Sequence, residues 1–570
     1  MSGGKRRERG TSGAPQPASD SGGRLPWILL GVVVVASAIL VAGAFVPAPH
    51  TGGDNAAYLT LAYSLLQGGY TELFDPAGPP HTKYRPVFPG ILALLMLLGF
   101  RTWTAFKAVA VVSTVGGVAL TYLWARRRLG PVWAAGVALL VAASAAVVYY
   151  SHWILSDPTF AAFTFLSLWA LERADDEGAP AGWLALGVAA AGLAYFTRSA
   201  GLPLVVALAG WLLLRRRWRT LVATAVALGL PMALWLLRAR GSGQGEYVSE
   251  FWLVDPYDPG QGTVGVAGLA GREGTKLVGY LGTHIPGGLI GAGAPGLPLL
   301  GVVLVAAAVA GWGLAVRKRV GPAEIFFPLY AGLILLWPAV WSGDRFALPL
   351  FPLLFLYAAS ALRHFAGQRG PRAVTAAGAL AFLAVLLPAT GAWVRATADA
   401  SACSAAVRRA GPFACYGPGV MAFVDAAGWA GANLPEGSAV LTRKPRMFYV
   451  LSGIPSRTFP FTENVDDHLA LADQVGARYE LFDQWDGLAG RYVAGAVGAR
   501  PRAFCAARSF GDGGTVLLGI LPRGERGDGT AVPGDEVRVA PCGAAFGGGG
   551  EEGGYASSSS RIPLLDRLAP

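Results

Sequence analysis

The chain has 570 residues, 53% of them hydrophobic and 14% charged, with a formal net charge of +11. Repeated apolar runs of about the 20 residues needed to cross a hydrocarbon core read as a polytopic membrane protein and exclude a soluble enzyme. The basic residues stand in short clusters at the ends of apolar segments, a placement that reports membrane topology and argues against nucleic acid as a partner.

Residues 1–25 are rich in Gly, Ser, Pro, Lys and Arg and lack apolar periodicity, so they are expected to be a disordered, basic cytoplasmic tail. A first span follows at 26–46, and the chain emerges outside into a loop at 47–102. Within it, GGDNAAYLTLAYSLLQGG places Asp54 at or before the N-terminus of a helix whose apolar Leu59, Ala62, Tyr63 and Leu66 recur at helical spacing. That helix reads as amphipathic and too short to span, hence lying on the membrane surface. Downstream, HTKYRPVFPG gathers His81, Lys83, Tyr84 and Arg85 before a second apolar run.

Whether 87–100 crosses the membrane is decided by charge. If this run of about 14 residues stays outside, the clusters Arg126–Arg128, Arg215–Arg219, Arg317–Arg319 and Arg363–Arg372 all fall in the cytoplasm. Spans are then expected near 103–125, 131–150, 157–172, 182–197, 199–214, 219–238, 297–316, 322–341, 345–362 and 373–392, which with the first makes about eleven. The acidic LERADDEGAP on the inside and Arg238 with Arg240 on the outside fit this scheme poorly.

The same topology puts Asp157 (LSDPTF), Arg198 (FTRSAG), Asp344 and Arg345 (SGDRFALP) at outer ends of spans. Ionisable residues at membrane depth are functional candidates by default, against the plainer reading of caps and snorkelling side chains. A second outer loop, 239–296, carries Glu246, Glu250, Trp252, Asp255 and His284. Acids among aromatics suit a sugar or acceptor site, and interfacial aromatics would look the same. There is no HExxH, CxxC or Walker spacing, so no metal ligands are assigned and no cofactor is required; a divalent metal stays open.

From 393 to 545, alternating helix and strand signals predict a small exterior α/β domain. All four cysteines, Cys403, Cys415, Cys505 and Cys542, fall here, which suggests an oxidising location and two disulfides. Three pairings are open, and proximity favours Cys403–Cys415 with Cys505–Cys542. Residues 546–570 read as a disordered tail.

Taken as an ordered set, GGDNAAYLTLAYSLLQGG with KYRPVFPGILALL, LSDPTF, FTRSAGLPL followed by WLLLRRRWR, GDRFALPLFPLL and VLTRKPRMFYVLSG resembles the GT-C class of polyprenyl-phosphate-sugar-dependent glycosyltransferases. Within that class the likeness is to bacterial relatives of protein O-mannosyltransferases and aminoarabinose transferases, and it extends over about residues 26–485.

The resemblance implies a membrane-embedded helical module at 26–392 with exterior juxtamembrane helices. It also implies transfer of a sugar from a polyprenyl-phosphate carrier to a protein, lipid or glycan hydroxyl at the outer face of the cell membrane. Asp54 would be the base, although Asn55 stands where the class often has a second acid. Lys83, Arg85, Arg198 and Arg345 would hold the phosphate, with Asp157, Tyr84 and Asp344 supporting. A single carboxylate implies inversion. A lipid-sugar transporter, or an inactive relative serving in assembly, are the competing readings; transporters usually show repeated halves, and no repeat is visible here.

Overall fold

The computed structural model describes residues 23–239, 246–294, 296–512, 514–527, 539–543, 546 and 561–566. Among these the chain is a bundle of helices followed by a small sheet domain. The bundle begins with α1 (Leu25–Gly43), α2 (Gly53–Leu66), α3 (Val87–Leu97), α4 (Trp103–Leu129) and α5 (Pro131–Ala143). It continues with α6 (Ala145–Tyr150), α7 (Asp157–Arg173), α8 (Ala181–Thr197), α9 (Leu202–Leu214) and α10 (Trp218–Ala239). After α11 (Glu246–Trp252), α12 (Val266–Gly279) and α13 (Ile285–Ile290) come α14 (Leu297–Lys318), α15 (Pro322–Leu336), α16 (Asp344–Ala347), α17 (Phe351–Gly367) and α18 (Pro371–Ala410).

Among the described residues, six helical segments are long and apolar enough to cross a bilayer: Leu25–Gly43, Trp103–Leu129, Trp218–Arg238, Leu297–Lys318, Asp344–Gly367 and Pro371–Ala410. Several other expected spans are shorter helices. Pro131–Ala143 ends at Ser144, where α6 restarts in a new direction. Helix α3 has 11 residues, a length of about 16 Å against a hydrocarbon core of about 30 Å. Helix α18 runs 40 residues without interruption into the region expected to open the sheet domain.

Where helices press together, glycine sets the distance. A Cβ on Gly311 of α14 would fall on the Tyr357 carbonyl of α17, so the two backbones touch at that point.

One end of the bundle is a charge network. Arg128 is paired with both Glu172 and Glu324, Arg127 with Asp176 at 2.6 Å, and Asp175 with Arg215 at 3.0 Å and Arg319 at 2.6 Å. Arg363 donates to the Leu129 carbonyl at 2.7 Å. The arginine clusters therefore converge on one end, and Glu172, Asp175 and Asp176 of LERADDEGAP are among their counter-ions. Arg238 belongs to the opposite end, where it donates to the carbonyls of His81 and Tyr70, both at 2.7 Å; Arg240 lies outside the described residues.

The sheet domain contains α19 (Pro418–Asn433), β1 (Val440–Leu441), α20 (Pro445–Ser452), β2 (Ser456–Arg457), α21 (Val465–Val475), β3 (Tyr479–Phe482), α22 (Leu488–Ala499), β4 (Phe504–Phe510) and β5 (Thr515–Ile520). Strand order is β2-β1-β3-β5-β4, with β1 parallel to both neighbours and β5 antiparallel to both of its own. Helices α21 and α22 cover one face and α19 the other. Disulfides join Cys403 to Cys415 and Cys505 to Cys542.

Two expectations are corrected. Helix α2 has no solvent or lipid face along its middle: residues 55–64 are all buried. Thr60 bonds the Ala57 carbonyl and Ser64 bonds Thr71, and the helix sits in one continuous core with Met447 and Phe448 of α20. The tail from 546 is also not wholly disordered. Residues 561–566 dock, with α23 (Pro563–Asp566) placing Ile562, Leu564 and Leu565 fully inside that same core. The Ile562 amide donates to the Arg101 carbonyl at 3.0 Å. Residues 1–22 and the rest of the tail, apart from Phe546, lie outside the described residues.

Candidate active site

Four segments deliver charge to one place. Asp54 stands in the first turn of α2, where the helix N-terminus favours an anion. The loop before it is fixed from several sides. Lys107 of α4 donates to the carbonyls of Val46 and Ala48, Tyr416 reaches the Pro49 carbonyl at 2.5 Å, and Asn55 Nδ2 donates to the His50 carbonyl at 2.8 Å. Asp157 opens α7 beside Pro158, and Arg198 caps α8 in an extended conformation. Arg345 is in the short helix α16, which follows Gly343 at φ +150°, a conformation that side chains with a Cβ rarely adopt.

These residues form a row of alternating charge. Arg345 Nη1 meets Asp54 Oδ2 at 2.7 Å. Its Nε and Nη2 donate to Asp157 Oδ2 at 3.0 and 2.8 Å. Arg198 Nη1 donates to the same Oδ2 at 2.9 Å and to Ser156 Oγ at 3.2 Å, and Ser156 shares a 2.7 Å hydrogen bond with Tyr58. Two carboxylates and two guanidiniums thus sum to zero net charge.

The other oxygen of Asp54, Oδ1, accepts from the Tyr84 hydroxyl at 2.7 Å. Burial alone would raise the Asp54 carboxyl. Arg345, the Tyr84 hydrogen bond and Arg198 outweigh it and hold the group well below the usual carboxylate range. Its side chain keeps 29% of its surface open, which leaves an approach for an incoming hydroxyl.

Tyr84 is itself positioned. His81 Nε2 accepts the Tyr84 amide hydrogen at 2.7 Å, so the ring proton is on Nδ1, which donates to Glu72 Oε1 at 2.8 Å. The rings of His81 and Tyr84 stack at 5.3 Å. Arg446 of the sheet domain lies 3.7 Å from Glu72 and over the Tyr84 ring at 5.6 Å. Burial opposes ionisation of Glu72, and the His81 hydrogen bond with Arg446 brings its pKa below the ordinary value.

Of the residues singled out in the sequence, Asp54, Tyr84, Asp157, Arg198 and Arg345 are brought together. Lys83 is engaged by Glu250 at 2.7 Å and lies over Trp341. Arg85 donates to the Tyr195 hydroxyl at 3.2 Å and stacks on Tyr195 and Trp235. Asp344 accepts from Tyr150 at 3.1 Å. In the second loop, Asp255 closes a local turn on the Tyr257 amide, Trp252 packs on Phe251, and His284 lies against Tyr280; the Glu246 side chain lies outside the described residues. Ser156, Tyr58 and Arg446 lie within the stretches that carry the resemblance but were not singled out there, and Glu72 lies outside them.

Among the described residues there is no group of three or more His, Cys, Asp or Glu side chains arranged to hold a metal. Asp54 and Asp157 are bridged by the Arg345 guanidinium.

A family model described as dolichyl-phosphate-mannose-protein mannosyltransferase matches residues 80–238. No curated protein matches the chain by sequence. Among solved structures, ArnT from Cupriavidus metallidurans bound to undecaprenyl phosphate superposes with a TM-score of 0.53 and 16% identity, over 87% of this chain and 98% of that one. The apo state of the same protein gives 0.53 and 15%, over 86% and 97%. The Archaeoglobus fulgidus oligosaccharyltransferase in complex with Zn and sulfate gives 0.50 and 16%, over 85% and 72%. At such identities the likeness is one of fold. The chain has the GT-C architecture, as its sequence resemblance implied.

Proposed function

We propose that this membrane protein is a glycosyltransferase that moves a sugar from a polyprenyl-phosphate carrier to an acceptor hydroxyl at the outer face of the cell membrane. The observation that carries the reading is the row Asp54–Arg345–Asp157–Arg198, an anionic base joined to two guanidiniums at the end of the bundle opposite the arginine clusters. Positive charge collects on the cytoplasmic side, so the row faces outward, and so does the disulfide-bonded sheet domain.

A sugar on a phosphate already has an anionic leaving group, so the reaction needs cations for the phosphate and a base for the acceptor and no strong general acid. Asp54 accepts the acceptor's proton as its oxygen attacks the anomeric carbon. The bond from that carbon to the phosphate oxygen breaks with its electron pair on the phosphate, and the anomeric centre inverts. Arg345 and Arg198 hold the phosphate, Lys83 and Arg85 serving the donor from the neighbouring loop. An apolar crevice lined by Ser113, Gly117, Val118, Phe165 and Leu348 reaches Tyr150 and Pro158, next to Asp157, and offers the lipid chain a path between helices.

The test is mass spectrometry of polyprenyl-linked sugars and envelope glycans in cells with and without the protein. Loss of a glycosylated product with accumulation of one lipid-phosphate sugar supports the reading and identifies both substrates. Unchanged glycans together with unchanged lipid-linked sugars would reject it.

A further inference from the structure

Arg345 has two carboxylate partners, Asp54 through Nη1 and Asp157 through Nε and Nη2, and Asp157 has a second cation in Arg198. Loss of charge on Asp54 therefore leaves the row one positive charge in excess, and that charge sits on Arg345. Under the reaction above, Asp54 gains a proton in the same event in which the leaving phosphate gains one negative charge. Resting on that reading, we propose that Arg345 exchanges partners during transfer: as Asp54 is protonated, the guanidinium passes from its carboxylate to the departing phosphate. The proton from the acceptor ends on Asp54, the bonding electron pair ends on the phosphate, and the summed charge of row and donor is unchanged.

The exchange explains why a base would be kept in contact with an arginine that suppresses its basicity. With Arg345 on Oδ2 and Tyr84 on Oδ1, Asp54 is a weak base. When the phosphate draws Arg345 away, the carboxylate loses its nearest cation and its proton affinity rises at the moment it is needed. Other groups facing Asp54 do not provide this. Tyr84 is held by its amide on His81, and Arg198 is bonded to Asp157 and Ser156. Tyr58 donates or accepts at Ser156, and burial with the charge of Arg345 depresses His50 to a pKa of about 4, so that it is neutral near pH 7. Asp157 retains Arg198 throughout and is a positioning residue for the exchange.

The experiment measures proton uptake when polyprenyl phosphate, the leaving group itself, binds the full-length protein in detergent, by calorimetry in buffers of different ionisation enthalpy at several values between pH 5 and 7. The difference between wild type and Asp54→Asn reads Asp54 together with the effect of its charge on the phosphate's own titration, which the carboxyl band below separates. An uptake by wild type that exceeds the variant's by up to about one proton supports the exchange. Equal uptake overturns it.

A second readout needs no variant. Infrared difference spectra of wild type on binding should gain a protonated-carboxyl band, and absence of that band also overturns the exchange. Failure here with intact transfer that depends on Asp54 would leave the glycosyltransferase reading standing; wild-type transfer by Asp54→Asn would remove the exchange and Asp54 as the base, and leave glycosyl transfer itself standing.

Discussion

Arg345 Nη1 lies 2.7 Å from Oδ2 of Asp54, in contact with the one carboxylate of the row that is also open to an incoming hydroxyl. The pair joins α16, far along the chain, to the first turn of α2, and under the proposed function it would link the phosphate-binding and proton-accepting halves of the site. Arg345→Gln should therefore act on both, removing a phosphate ligand and the cation that lowers the Asp54 pKa. It should lower kcat/KM by roughly 30- to 1,000-fold, on the order of 2–4 kcal/mol, and weaken binding of polyprenyl phosphate. Steady-state kinetics and lipid titration on the purified variant check this; a change confined to one of the two would separate the halves.

Tyr84→Phe removes the hydrogen bond to Asp54 Oδ1 while keeping the ring on His81. That bond lowers the Asp54 pKa, so its loss raises the pKa toward the ordinary carboxylate value. The base is active when ionised, and the acidic limb of the pH–rate profile should move to higher pH by roughly one unit, with donor binding unchanged. Glu72→Gln should act through His81 and reduce kcat by about tenfold, without the same shift.

The sheet domain should lose stability as pH rises. Burial pushes the Asp483 carboxyl up to about 6, so the folded state holds its proton more tightly than the unfolded chain. That contribution, on the order of 2–3 kcal/mol, is complete below the unfolded pKa and disappears as pH climbs to about 6. His468 adds in the same direction. Burial opposes its charged form, but Glu480 at 2.7 Å and the Thr462 carbonyl raise its pKa, so its contribution is lost as pH rises past the ordinary histidine value. Asp483→Asn should melt higher than wild type at pH 7.5 and show a flatter dependence of Tm on pH.

Residues 561–566 should act as a clasp between the sheet domain and the bundle. Ile562, Leu564 and Leu565 are fully buried in the core that contains α2 and α20. Leu564→Asp should place a charge there, lower the Tm by several degrees and expose the sheet domain to limited proteolysis. Wild-type protease resistance would show that the segment holds nothing.

The topology has its own check. A single cysteine at position 101 should react with an impermeant thiol reagent from outside, and one at position 127 from inside, in a background without native cysteines. The reverse pattern would invert the bundle.

Much of the site was legible because charge is rare in apolar sequence. Asp54, Asp157, Arg198 and Arg345 each interrupt a greasy stretch, and each reaches the row. The partners that position them were not legible. Glu72 sits in a turn-rich stretch with nothing to mark it, and its role arises from His81 folding back nine positions away. Lys83 meets Glu250 across 167 residues, which spacing cannot predict.

Helix α2 misled for a physical reason: its Thr60 and Ser64 side chains bond inward, and its cover comes from a domain about 390 residues downstream. The acids at 172–176 read as a topological misfit until arginines from three other segments enclosed them.

The central claim is that Asp54 takes the acceptor's proton, and its most direct measurement is sugar transfer by purified Asp54→Asn protein. The substitution keeps the shape and one of the two acceptor oxygens, and removes the charge and the basic oxygen. With a polyprenyl-phosphate sugar and the acceptor identified from cells, turnover should fall by roughly a hundredfold to ten-thousandfold while the donor lipid still binds. Transfer at the wild-type rate by folded Asp54→Asn would contradict the account.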